Sequence, residues 1–154
     1  MGQRSTCANR EGSACVSTPN RVLVNWKGER NFEGGREGRP SIPVDGDGQN
    51  APSPPDVLLV ALASCVSVDV VDILVKRRTP PETFDVEVLG ERVDSIPRKF
   101  KHITLNFVIT GKGIDRPNAM RAIELSANNY CSVRDSLDPN IPIVLNLNLN
   151  GSDS

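Results

Sequence analysis

The chain has 154 residues, 38% of them apolar and 4% aromatic, with a formal net charge of −1. That length fits one domain with a sizeable core, and the near-neutral charge gives no footprint for nucleic acid or an anionic membrane surface. Four cysteines are too few and too scattered for a disulfide scaffold, so a reducing, cytoplasmic setting is expected.

Residues 1–20 read as a polar leader with too little apolar content to pack, expected to be disordered. They contain no apolar central region of the secretory kind. Cys7 and Cys15 lie within them and read as bystanders. The folded domain is expected over 21–151.

The spacing predicts three short strands first, over Arg21–Trp26, Asn31–Gly34 and Gly38–Val44, joined by glycine- and proline-rich turns. A loop follows over Asp45–Ser53. Ser53-Pro-Pro-Asp56 then reads as a helix start, with Ser53 as N-cap, Pro54 in the first helical position and Asp56 completing a capping-box pattern. The apolar run Val57–Val75 forms that helix, Lys76-Arg-Arg78 suits its C-terminus, and Pro80-Pro81 stops it. At about 28 Å it is long enough to cross a bilayer. Asp69 and Asp72 within it are costly at membrane depth, so it reads as the long, buried central helix of a soluble protein.

Two alternating strands come next. In Thr83–Leu89, Phe84, Val86 and Val88 face in; in Lys101–Thr110, Ile103, Leu105, Phe107 and Ile109 face in. Asp115-Arg-Pro117 precedes a second helix whose apolar stripe takes Ala119, Ala122, Ile123, Ala127 and Tyr130, with Cys131 directly after it. Pro142–Leu149 is the last strand. The order predicts an α+β fold with largely antiparallel sheets around the central helix. A helix apolar on nearly every side asks for more cover than one chain supplies, so an obligate homodimer is expected.

Cys65, inside the central helix, and Cys131 are the residues that could carry chemistry. Only a thiolate is a strong nucleophile, and burial disfavours the charge, so an activating cation is required. Arg36 and Arg39 in the glycine-rich turn are candidates, because a guanidinium stays charged and can bond a peroxide oxygen as well. Attack on an O–O bond would leave a sulfenic acid on Cys65, which Cys131 could condense to a disulfide if the fold brings them together. Leu62 and Val66, beside Cys65, would favour an apolar substrate. The plain alternative is that both cysteines pack as small hydrophobes. Asp56 has an equally plain role as the acid of a helix N-terminus. His102 reads as a strand-surface residue; with no Cys-x-x-Cys and one histidine, neither a metal nor a cofactor is expected.

Gly34-Gly-Arg36, the segment Pro52-Ser-Pro-Pro-Asp56-Val-Leu-Leu-Val-Ala-Leu-Ala-Ser-Cys65, and Asn129-Tyr-Cys131-Ser-Val133 together resemble the OsmC/Ohr family. These are the osmotically inducible and organic hydroperoxide resistance proteins, and the resemblance runs over roughly 21–151. It implies an intertwined homodimer with active sites at the subunit interface. It implies a thiol-dependent peroxidase acting on organic hydroperoxides and in some members hydrogen peroxide, as oxidative-stress defence, regenerated by a dithiol such as a lipoylated protein. By this resemblance Cys65 is the peroxidatic cysteine, Cys131 the resolving one, Arg36 the arginine that holds the thiolate, and Asp56 the acid that positions Arg36. Two departures place the chain in the broader OsmC-like branch: the acid is aspartate rather than glutamate, and it stands nine residues before Cys65 where the hydroperoxide-resistance branch has it ten before. The rival reading is a non-enzymatic OsmC-like module that binds a small apolar ligand at the dimer interface.

Overall fold

The computed structural model of the protein describes residues 18–152, so Cys7, Cys15 and most of the expected leader lie outside the described residues. Strands β1 (Leu23–Gly28), β2 (Asn31–Gly35) and β3 (Ile42–Asp45) form an antiparallel three-stranded sheet. The chain then enters α1 (Pro54–Lys76), the hairpin of β4 (Thr83–Arg92) and β5 (Phe100–Thr110), α2 (Arg116–Leu125), a π-helical turn over Ser126–Tyr130, α3 (Ser132–Asp135) and β6 (Ile143–Leu149). The result is an α+β fold of two small sheets about a central helix.

The second sheet has the order β4-β5-β6. β4 and β5 are antiparallel, but β6 runs parallel to β5, with Ile103 opposite Ile143 and Ile109 opposite Leu149. The largely antiparallel expectation therefore holds for three of the four pairings. The exception follows from connectivity: α2, the π turn and α3 carry the chain back across the sheet, the crossover that a parallel pair needs.

α1 starts as its sequence dictates. The Ser53 backbone N–H donates to Asp56 Oδ2 at 2.9 Å and the Ser53 hydroxyl donates to the same oxygen at 2.5 Å, with proline in the first turn. The helix ends at Lys76, and Arg78 takes a left-handed φ of 62° as the chain leaves. Along one stripe Leu62, Ala63, Val66, Val70 and Leu74 are buried. They meet Ile103, Leu105, Phe107 and Ile109 from β5, Leu147 and Leu149 from β6, and Ala119, Ala122 and Ile123 from α2. Gly90 on β4 is required by this packing, because a Cβ there would come within 2.5 Å of the Phe100 ring and 2.9 Å of Leu59 Cδ1.

Within one chain the central helix is covered along one side only. Val60, Val68 and Val75 stand exposed on α1, opposite the core stripe, because the second sheet and α2 cover only one side. The first sheet touches α1 through β3. It leaves Val22, Val24, Trp26 and Ile42 exposed.

Candidate functional site: two thiols between α1 and the π turn

Cys65 sits midway along α1, half-buried and packed against the core. Cys131 is buried and caps α3: its sulfur accepts a hydrogen bond from the Arg134 backbone N–H at 3.3 Å. Both are free thiols. The fold brings them close enough that Cys65 acts on the Cys131 thiol. Burial, first, pushes the Cys131 thiol from an ordinary 9.0 up to about 11; the Arg134 N–H opposes this, and the neighbouring Cys65 adds to it. Cys131 is thus held protonated at neutral pH.

The π turn is what turns Cys131 inward. A strict helical stripe through Ala119, Ala122, Ile123 and Ala127 would carry on to Tyr130. Instead the Cys131 N–H bonds to the Ser126 carbonyl at 3.0 Å, five residues back, and the wider turn rotates the chain. Tyr130 is left 58% exposed, against the expectation that it joins the stripe, while Ser126, Ala127 and Cys131 are buried. The Ser126 hydroxyl, facing this junction's interior, has no hydrogen-bond partner among the described residues. No motif in the sequence marks a π turn, so this feature and the Arg134 N–H on the sulfur are visible only in the fold. Arg134 is itself half-buried, with its Nε shielded and unbonded.

The other expected site residues are placed apart. Arg36 lies exposed in the turn after β2 and donates from Nη2 to Asn20 Oδ1 at 2.7 Å. Asp56 spends its carboxylate on Ser53, whose hydroxyl and then backbone N–H hold it below the ordinary value, with the charge of Arg92 adding a smaller push. Within one chain, then, no bond joins Arg36 to Asp56, and the acid plays its helix-capping part. Leu62 and Val66 flank Cys65 in sequence but point into the core, each 1% exposed. The residues one turn away on the more open side are Ala61, Val68 and Asp69.

Two small sheets about a central helix form an architecture that recurs in solved structures of OsmC-like and organic hydroperoxide resistance proteins. The family model described as OsmC-like protein matches residues 46–146, and the chain belongs to that family. Protein YhfA of Escherichia coli (strain K12) is 37% identical over 121 residues, covering 78% of this chain and 90% of that protein. A hypothetical protein from Aquifex aeolicus VF5 has a crystal structure that superposes with a TM-score of 0.78 at 24% identity, covering 87% of this chain and 98% of that one. The organic hydroperoxide resistance protein OhrB of Bacillus subtilis shares the fold at a TM-score of 0.55 and 18% identity, over 83% and 96% of the two chains.

Proposed function

We propose that the protein is a cysteine-based peroxidase that reduces organic hydroperoxides, with hydrogen peroxide as a lesser substrate. The observation that carries this reading is the contact between a half-buried Cys65 and a buried, protonated Cys131. Cys65, as thiolate, attacks the distal peroxide oxygen; the O–O bond breaks, Cys65 becomes a sulfenic acid, and the alkoxide leaves as alcohol after taking a proton. The Cys131 sulfur then attacks the Cys65 sulfur. Its proton and the departing hydroxyl leave as water, and a disulfide remains, which an external dithiol reduces by exchange. A lipoylated protein would suit as that dithiol.

The reading also needs a cation and a second copy. Exposed valines on α1 and the exposed face of β1–β3 are two apolar surfaces that a homodimer would bury. Within one chain Arg36 is engaged with Asn20 and Asp56 with Ser53. In this proposal dimerisation draws Arg36 to the Cys65 thiolate and lets Asp56 position it.

The test is dithiol-dependent consumption of cumene hydroperoxide. Wild type is expected to turn over; Cys65→Ser loses all activity; Cys131→Ser performs one turnover and keeps a sulfenic acid that a dimedone probe labels. A wild type that leaves the peroxide intact sinks the reading. The rival, a non-enzymatic binding module, is supported by an apolar cavity of about 530 Å³ lined by Val22, Val24, Phe32, Ile42, Val44 and Val57. It predicts saturable binding of an apolar ligand by wild type and Cys65→Ser alike.

A further inference from the structure

A second groove, of about 460 Å³, opens where the first turns of α1, the end of the β4–β5 hairpin and the segment after α3 meet. Leu58, Phe100, Leu137 and Ile141 give it an apolar lining. Arg92, Arg98 and Lys99 stand around it with one carboxylate, Asp138. Lys99 and Asp138 pair with each other at 3.4 Å. The Arg92 Nε donates to the Arg98 carbonyl at 2.6 Å, and its charge reaches Asp56 without an ion pair, so its terminal nitrogens have no partner among the described residues. Among the described residues the Arg98 guanidinium meets one carboxylate, the fully exposed Asp94, at 3.9 Å. Two guanidiniums are thus held beside an apolar groove with donors to spare.

We propose that this groove binds an amphipathic carboxylate, a fatty-acyl anion whose head is held by Arg98 and Arg92 and whose chain lies on Leu58, Phe100 and Leu137. A guanidinium presents paired N–H donors that match a carboxylate, which a neutral or cationic head cannot use. The apolar lining takes an alkyl chain and removes it from water. Lys99 and Asp138 offset each other in the lining, so the donors left facing the groove are those of Arg92 and Arg98, which suit an anionic head.

The groove also lies in line with the thiols. Leu58 precedes Cys65 by seven residues, two helical turns, so both share one side of α1 about 10 Å apart. Leu137 closely follows α3, which Cys131 caps. A chain extending from the groove along α1 reaches the turn of Cys65. That the bound chain presents a hydroperoxide there rests on the peroxidase reading; the binding itself does not.

Calorimetric titration of the full chain with sodium decanoate, decanol and decyltrimethylammonium tests the binding. Decanoate is expected to bind saturably and decanol at least about tenfold more weakly, with no binding of the cation. Arg98→Gln is expected to weaken decanoate by about tenfold or more while keeping the wild-type circular dichroism and melting temperature. The wild-type decanoate affinity should also fall with added salt, a readout that needs no variant. Equal affinity for decanol, or an Arg98→Gln affinity for decanoate matching wild type, overturns the proposal. Parallel assays with cumene hydroperoxide separate the two readings. Turnover without decanoate binding removes the groove alone, whereas selective decanoate binding without turnover removes the peroxidase and leaves the groove standing.

Discussion

Cys131 owes its character to burial: the same thiol on the surface would titrate near its ordinary 9.0, and here it is pushed to about 11. A group whose folded value is raised stabilises the fold through its protonated form. That contribution is complete below about pH 9 and is lost as the pH climbs toward about 11. Denaturation midpoints measured across this window should therefore fall more steeply for wild type than for Cys131→Ala. Parallel profiles would show that the buried thiol does not titrate as described. In the proposed peroxidase, the same protonation would keep Cys131 from competing with Cys65 for peroxide.

At the scale of elements, α1 joins the two sheets and sets the position of Cys65. Its N-terminus is well served by Ser53, Pro54 and Asp56, and the Thr79 N–H caps its other end on the Leu74 carbonyl at 3.0 Å, but that cap requires one strained residue. Arg78 occupies a left-handed position at φ 62°, where its N–H closes the helix onto the Val75 carbonyl at 2.9 Å. A side chain in that conformation costs about 1 kcal/mol that glycine avoids. Arg78→Gly should raise the unfolding free energy by about that amount, read from the urea midpoint at unchanged slope. A loss of stability would mean that the Arg78 side chain makes an interaction worth more than the strain. The π turn after α2 works in the opposite sense, giving up regular helix geometry to bury Cys131 and turn Tyr130 out.

For the whole molecule the decisive feature is surface left uncovered. Val68 is 63% exposed on α1 and Trp26 68% exposed on β1, each among other exposed apolar side chains. In the proposed homodimer these apolar surfaces form the interface. Sedimentation of the wild type is expected to give a dimer, and Val68→Glu a folded monomer with peroxidase turnover reduced at least tenfold, because the proposed Arg36 contribution is lost with assembly. A wild-type monomer that turns over at full rate would sink the interface account.

What the residues determine on their own is what depends on local spacing and chemistry. The helix start at Ser53 to Asp56 and the alternation along β4, β5 and β6 were legible, because periodicity and capping need no distant partner. The family resemblance carried the thiol roles further than spacing could. What only the tertiary structure decided is whatever depends on how elements meet: that β6 lies parallel to β5, that α1 is covered on one side, that the chain after α2 widens by one residue to turn Cys131 inward, and that within one chain Arg36 bonds Asn20. A sequence states which faces are apolar. Which face finds a partner is a property of the packed chain, since burial free energy is shared among surfaces that no single segment contains.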